Sequence, residues 1–302
     1  MKTGIVILNY NDYMRTIACA DHILLFPSID YIVIVDNGST NNSFENIKDY
    51  YKFLHSSKLK IIESGSNGGY AKGNNIGINH LLNNTDSDII GIVNPDITFE
   101  NNLGEEIKNQ FLKYRDFAVL TGVQTDKSGH ISKRAFWRDL SIPQFIISMS
   151  PTLSKLQSLI LGNYVFKKLN TSEEIVDVPT VEGCLFFIRA NVARDIKGFD
   201  EGTFLFMEED ILSWKVRNLG WKIGVIKNIK FIHDHSATIG QFISYLNRVK
   251  IMNKSRRYYF CKYLFKGKKS GKSIYSILEL ISWIEQMLVM IPYLFIKNRI
   301  IH

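Results

Sequence analysis

The first hundred residues alternate short apolar runs with longer segments of helical periodicity. The apolar runs are rich in β-branched residues and predict buried strands at Gly4–Tyr10, Tyr31–Ser39, Leu59–Ser64 and Asp88–Val93. The intervening segments predict helices at Tyr13–Leu25, Asn42–Leu54 and Lys72–Leu82. Strands that are joined by helices pair in parallel, so this alternation predicts an α/β protein with a mostly parallel central sheet.

Polar loops follow each of these strands. They are Asn9-Tyr10-Asn11, Asp36-Asn37, Ser66–Gly69 and Asn94-Pro95-Asp96. Ligands of open α/β sheets bind at the carboxyl edge of the strands, so the four loops together predict a binding site there. The stretch SNGGYAKGNN has glycines that let the backbone approach a ligand closely, and the helix after it offers N–H groups to phosphate, with Lys72 in reach to assist. A flexible turn is the alternative interpretation of this stretch.

Two common nucleotide motifs are absent from the sequence. A dinucleotide-binding G-x-G-x-x-G does not follow the first strand, where Asn9-Tyr10-Asn11 stands instead. A P-loop requires a second glycine at the position that Tyr70 occupies in the loop beginning at Gly65. A nucleotide site in this chain must therefore be of another kind.

Acidic and imidazole side chains supply candidates for catalysis and metal binding. An amphipathic helix begins with three acids, Glu208, Glu209 and Asp210. Acids at this position either interact favourably with the positive end of the helix dipole or act as a general base. Asp96 is either a turn acid or a ligand of a hard divalent cation. His233 and His235 follow another apolar run, and their pairing raises the expectation of a metal or phosphate contact over a structural role.

The net charge and the cysteines indicate the cellular compartment and the kind of partner that suit this chain. The chain has 302 residues, a net charge of +8 and three widely spaced cysteines that follow no metal spacing. Reduced thiols and the absence of an apolar leader predict a cytoplasmic enzyme. The excess positive charge suits an anionic membrane surface or a phosphorylated substrate, and no nucleic-acid reader motif accompanies it.

Seven motifs together resemble the family 2 glycosyltransferases of the GT-A fold. They are VILNYN, VDNGST, NGGYAKGNN, NPD, VEGCLFFIRANVARDIKGFDE, MEEDILSWKVRNLGW and IHDHSAT, in this order between Lys2 and Thr238. The subgroup that they most resemble is the bacterial rhamnosyltransferase-like enzymes. The resemblance implies a nucleotide-binding half at about 1–100, an acceptor-binding half at about 101–245, and a separate basic and apolar helical tail at 246–302.

The resemblance also implies roles for individual residues. Asn9, Tyr10 and Asn11 would wall the nucleotide base, Asp36 would hydrogen-bond it, and Asn67, Gly69 and Asn75 would lie along the base and ribose. Asn94 replaces the first acid of the family's D-x-D, which leaves Asp96 as the main carboxylate for Mg²⁺ or Mn²⁺, with His233 near the metal or diphosphate. Gly183, Cys184 and Glu208 would face the donor sugar or acceptor. Glu209 is the favoured base and Asp210 its rival, because the family's usual Glu-Asp pattern is altered here.

The implied reaction is inverting transfer of a sugar from a UDP- or dTDP-sugar, with dTDP-rhamnose a candidate, to a saccharide acceptor in bacterial cell-surface polysaccharide synthesis. A sugar-phosphate nucleotidyltransferase and a non-catalytic nucleotide-sugar-binding protein are the alternatives. The first requires a Gly-rich basic loop after the first strand, which this chain lacks. The intact acids argue against the second.

The C-terminal tail combines a basic segment, Lys250–Lys272, with an apolar one, Ser273–Ile296. Glu279, Glu285 and Pro292 interrupt the apolar segment, and the uninterrupted part is shorter than the roughly 20 residues that span a bilayer. We therefore expect an amphipathic helix that lies on the inner face of the cell membrane, near a lipid-linked acceptor. A core helix or a homodimer interface is the alternative, with equal weight.

Overall fold

The computed structural model describes residues 1–54, 56–132, 141–161, 172–234 and 244–300. Its first four strands are β1 (Thr3–Asn9), β2 (Tyr31–Asp36), β3 (Leu59–Glu63) and β4 (Ile89–Val93). They pair in parallel in the order β3-β2-β1-β4, and every residue of β4 is buried. The predicted parallel half-sheet is confirmed, with strand ends within a few residues of those expected.

The sheet continues into a mixed half. Its strands are β5 (Ile97–Phe99), β6 (Phe117–Thr125), β7 (Ile175–Asp177), β8 (Leu185–Arg189) and β9 (Lys222–His233). Strand β8 pairs antiparallel with both β4 and β6, and β9 pairs parallel with β6. Strand β9 also pairs antiparallel with β7 along its first half and with β5 along its last residues. This last pairing brings the end of β9 to the loop that follows β4.

Helices cover both faces of the sheet. Those of the first half are α1 (Tyr13–Leu24), α2 (Ser43–Tyr50), α3 (Gly69–Asn84) and α4 (Asn102–Lys113). Those that follow are α5 (Ile142–Met149), α6 (Pro151–Leu161), α7 (Ala190–Asp195) and α8 (Glu208–Asn218). Two apolar clusters, one on each face, bury the strand side chains that alternate along β1 and β2. The segment Thr121–Leu169 mixes polar turns with apolar patches in the sequence, and no element was predicted there. Its described part contains the end of β6 and the helices α5 and α6.

The predicted helical tail is confirmed in its backbone. Helix α9 (Tyr245–Tyr259) runs into a π-helix (Phe260–Leu264), and a short turn leads to the long helix α10 (Lys269–Ile300). Tyr259, Phe260 and Tyr275 of this tail share one apolar cluster with Met207 and Ile211 at the start of α8. The tail therefore supports the helix that carries the acidic triplet.

One predicted element begins elsewhere. Helix α3 begins at Gly69, three residues before the predicted Lys72, because the Asn67 side chain accepts the Gly69 N–H at 3.0 Å and closes the turn early. Within the described part of the chain, no helix combines the length and the apolar character needed to cross a bilayer. His235 lies outside the described residues.

Candidate active site

The ends of β1 and β2 form a buried polar cluster around Asp36. The Asp36 carboxylate accepts the Asn9 Nδ2–H at 2.6 Å, the Ser39 hydroxyl at 2.7 Å and the Ser39 N–H at 2.9 Å. Asn9 also accepts the Thr16 hydroxyl at 2.8 Å. Both Asp36 and Asn9 are buried, so these contacts hold the two loops together. A direct contact of either residue with a base stays a prediction.

The glycine-rich loop is attached to this cluster through Asn37. Its amide donates to Asn67 Oδ1 and to the Gly69 carbonyl, each at 3.2 Å, and accepts the Gly68 N–H at 3.3 Å. Gly69 has a φ of +86° and packs directly against the backbone of Phe204, where a Cβ atom would overlap the Phe204 carbonyl. A side chain at position 69 is excluded for both reasons.

Tyr70 connects the glycine-rich loop with two other loops. Its N–H donates to the Phe204 carbonyl at 2.9 Å, and its hydroxyl donates to the Gly183 carbonyl at 2.5 Å. Burial, followed by the nearby Cys184 and Glu209, raises the pKa of the Tyr70 hydroxyl well above its usual value. Tyr70 therefore lies between the glycine-rich loop, the Gly183–Cys184 segment and the acidic triplet.

The acidic triplet follows a strained segment. Phe206 and Met207 adopt left-handed backbone conformations with φ of 75° and 72°, a region that bulky residues rarely occupy. Such strain persists only where the surroundings impose it and is typical of functional sites. Here the Leu205 carbonyl accepts the hydroxyl of Ser255, in helix α9, at 2.8 Å. The tail thus helps to impose the conformation from which α8 begins.

The three acids of the triplet lie in different environments. Glu208 and Asp210 are buried at 2% and 3% exposure, whereas Glu209 is partly exposed. Burial, followed by repulsion from Glu209, raises the pKa of Glu208 to about 8. Its Oε1 atom has no hydrogen-bond partner among the described residues. Glu208 is therefore held largely protonated at neutral pH, and Glu209 is the acid of this triplet that solvent reaches most readily.

Asp96 and His233 meet through the pairing of β5 with the end of β9. Ile97 is the partner of His233 in that ladder, and the Asp234 N–H donates to the Asp96 carbonyl at 3.0 Å. The Asp96 carboxylate then lies 3.3 Å from His233 Nε2. The two predicted metal-binding residues, 137 positions apart in the sequence, are brought together by this one short strand.

Glu182 and Cys184 complete a group that could hold a metal ion. One ligand atom from each of Glu182, Cys184 and His233 lies within 4.8 Å of the others. Burial, then the charges of Glu182 and Asp96, raise the pKa of the Cys184 thiol well above its usual value. Together with the Asp96 carboxylate beside His233, the group offers carboxylate oxygen, imidazole nitrogen and sulfur donors. This donor set fits a hard or borderline divalent cation.

Other predicted site residues hold neighbouring segments of the fold together. The Asn75 amide bonds to Phe199 and Glu201 and fastens the loop 198–201 to α3. The Asn11 side chain bonds to Thr40, and Lys72 lies over Gly68 in the first turn of α3. Asn94 joins the site through its N–H, which donates to the Cys184 carbonyl at 2.9 Å. Tyr10 is partly buried beside Asn11.

The sequence predicted no site role for three residues that shape the site, Tyr70, Glu182 and Phe204, and it indicated Asn37 only as part of the Asp36-Asn37 loop. Glu182 stood in a quoted motif, and a carboxylate two residues before Cys184 was an available signal for a metal site. Tyr70 and Phe204 carried none, because their contacts join segments more than a hundred residues apart.

A parallel half-sheet joined to a mixed half, with the candidate site at the carboxyl edge of the strands, is the architecture of the GT-A fold. The family model "Glycosyl transferase family 2" matches residues 4–196, which is well over half of the chain, and the chain belongs to that family. The bacterial rhamnosyltransferase-like subgroup receives no separate support from these matches.

One curated relative of this chain is named as a hexosyltransferase. The low-salt glycan biosynthesis hexosyltransferase Agl10 of Haloferax volcanii is 24% identical over 213 residues, which are 70% of this chain and 61% of the relative. The chain therefore spans less than two thirds of that protein's length.

Solved structures support the fold. The mannosyltransferase PcManGT of Pyrobaculum calidifontis, in complex with GDP-Man and Mn²⁺, has a TM-score of 0.59 and 15% identity over 94% of this chain and 72% of its own. GalNAc-T7 with UDP, GalNAc and Mn²⁺ has a TM-score of 0.57 and 14% identity over 77% of this chain and 44% of its own.

Proposed function

We propose that the protein transfers a sugar from a nucleoside diphosphate sugar to a saccharide acceptor, with inversion at the anomeric carbon. The observation that carries this proposal is the position of Tyr70. Its backbone and hydroxyl join the glycine-rich loop to Phe204, just before the acidic triplet, and to Gly183, beside the Asp96–His233 pair. This arrangement supports the proposal, because it joins the three segments that the proposed transfer would use.

Glu209 is the proposed general base. The acceptor hydroxyl attacks the anomeric carbon as the bond to the diphosphate breaks, and its proton passes to a Glu209 carboxylate oxygen. A base must reach the acceptor, and Glu209 is more exposed than either neighbour in the triplet. Asp210 is buried and remains the rival assignment.

Asp96, His233 and Glu182 are the proposed ligands of a divalent cation. When bound, such a cation would neutralise the charge that develops on the departing diphosphate. The imidazole in this donor set favours Mn²⁺ over Mg²⁺, since Mg²⁺ is held mainly by oxygen atoms and keeps more of its water. The Mn²⁺ in the related structures agrees with this choice.

The donor is proposed to be a UDP- or dTDP-sugar, with dTDP-rhamnose a candidate. A buried contact joins Asn9 to Asp36, and a partly buried one joins Asn37 to Asn67, so a base that binds beside these loops would meet a preformed wall. A preformed wall suits recognition of a planar base, because less order must be gained on binding.

The acceptor is proposed to be lipid-linked, with the tail at the membrane surface. Exposed apolar side chains recur along α10 at Ile274, Ile277, Ile281, Ile284 and Leu288. The spacing of three and four residues places them on one face of the helix. An apolar stripe next to a basic segment is typical of a helix that lies in the membrane interface.

A thermal-shift panel of UDP-, dTDP- and GDP-sugars, with and without Mn²⁺, tests donor binding. A bound donor raises the melting temperature by mass action, and we expect the rise to need Mn²⁺. Release of nucleoside diphosphate in the presence of acceptor then tests transfer. If none of these donors shifts the melting temperature with Mn²⁺ present, the proposed function is wrong.

A further inference from the structure

A second cleft lies in the tail, apart from the proposed active site. Its volume is about 470 Å³, and it lies between helix α9, the π-helix and the first turn of α10. Gly202, Tyr258 and Cys261 form part of its wall. Gly267 also lines the cleft, and the other five lining residues are cationic: Lys254, Arg257, Lys262, Lys268 and Lys272.

Most of these cations have no acidic partner among the residues that the structure describes. Lys262 pairs with Asp200 at 2.6 Å, but the described residues provide no ion pair for Lys254, Arg257, Lys268 or Lys272. Arg257 and Lys272 both act on the Cys261 thiol, where they oppose the effect of burial that raises its pKa. Their charges therefore converge on the same wall. Converging positive charge in a concave surface attracts and concentrates anions.

We propose that this cleft binds the phosphate or diphosphate group of a membrane lipid. The apolar stripe of α10 starts at Ile274, two residues after Lys272. A helix lying in the interface with this stripe buried would therefore hold the cationic cleft at the depth of the lipid headgroups. A soluble phosphate compound has no apolar part that would contact the adjoining stripe, whereas a lipid does.

The cleft is connected to the proposed acceptor side of the active site. Asp200 accepts the Tyr258 hydroxyl and the Gly202 N–H, each at 2.8 Å, as well as Lys262. Gly202 lines the cleft, and the same loop continues to Phe204, which accepts the Tyr70 N–H. A lipid phosphate in the cleft would thus lie one short loop away from the catalytic segment. This part of the inference rests on the proposed function.

Vesicle flotation of the full chain tests the inference without a donor or an acceptor reaction. The vesicles contain phosphatidylcholine alone, phosphatidylcholine with phosphatidylglycerol, or phosphatidylcholine with a small fraction of a polyisoprenyl diphosphate. The test variant is Lys268→Gln/Lys272→Gln, and the matched control is Lys48→Gln/Lys52→Gln, whose two exposed lysines lie on and just after α2. Unchanged melting temperatures verify that both variants fold.

We expect the test variant to lose about 25-fold in partition onto anionic vesicles, at about fivefold per charge, while the control loses much less. Partition that rises with phosphatidylglycerol identifies bulk phospholipid as the source of the phosphate. Partition that rises only with the polyisoprenyl diphosphate identifies a lipid-linked acceptor. Equal partition of the test and control variants overturns the inference. It is also overturned if the wild-type chain binds vesicles of phosphatidylcholine alone and neither phosphatidylglycerol nor the polyisoprenyl diphosphate strengthens that binding. Because the donor thermal shift uses soluble nucleotides without vesicles, failure here is distinguishable from failure of the proposed function.

Discussion

Asp96 Oδ2 lies 3.3 Å from His233 Nε2, and both side chains are largely buried. The contact depends on the three-residue strand β5, which pairs its first residue with His233. A carboxylate and an imidazole at this distance can share a proton or a cation. Glu182, on the neighbouring segment, adds a second carboxylate to the same place.

Asp96→Asn should weaken Mn²⁺ binding by at least about 100-fold, because loss even of an outer partner of a metal site costs about 10–100-fold. The change is measured by titration of Mn²⁺ against melting temperature. Asp126→Asn is the control, since Asp126 forms an exposed pair with His130 at the same 3.3 Å distance. Equal Mn²⁺ affinity in the two variants would contradict the assignment of Asp96.

Glu209→Gln should lower the turnover by about 10²–10⁴-fold while donor affinity changes little, because a general base acts on the acceptor proton. Turnover is measured as release of nucleoside diphosphate, and donor affinity by thermal shift. Asp210→Asn is assayed beside it. A large loss in Asp210→Asn with normal turnover in Glu209→Gln would move the base to Asp210.

Glu208→Gln should flatten the pH dependence of stability. The pKa of Glu208 is about 8 in the folded protein against 4.5 for a free glutamate, so the folded state holds a proton that the unfolded state has released between these values. Stability therefore falls as the pH rises through this window, by on the order of a few kcal/mol in total. Urea unfolding at about pH 5, 7 and 9 measures the slope.

The matched change for this test is Glu105→Gln, at an exposed glutamate in the first turn of α4. It should leave the slope as in the wild type. If Glu208→Gln also keeps the wild-type dependence of stability on pH, then Glu208 is ionised at neutral pH in the wild type and burial does not raise its pKa.

Ser255→Ala should lower kcat with little change in the KM for the donor. Its hydroxyl holds the Leu205 carbonyl, one residue before the left-handed Phe206 and Met207, so its loss frees the segment that positions the acids. The stability cost should be about 1 kcal/mol, as for one hydrogen bond. Ser276→Ala, at an exposed serine that bonds within α10, should leave both quantities unchanged. A KM effect alone would show that Ser255 does not position the acids.

Local pattern was sufficient for the parallel half of the fold. The runs that became β1, β2 and β4 are apolar on both faces, as is typical of parallel strands buried between helices, and the polar residues that end these strands share one edge of the sheet. The acids at the start of α8 were also visible, because a helix start has a local signature. The segment Thr121–Leu169 showed no regular pattern, so the sequence did not predict that its first residues form the end of strand β6.

The amino-acid sequence by itself determined the α/β class, the family and the residue types that the site contains. Only the tertiary structure decided which of them meet: Asp96 with His233, Tyr70 with Gly183, and Ser255 with the strained turn before Glu208. The tertiary structure also shows that Asp36 and Asn75 have hydrogen-bond partners within the protein, which their sequence motifs did not reveal. The physical reason is that strand and helix periods are encoded in neighbouring residues, whereas contacts between distant segments depend on strand pairing and packing across the whole sheet.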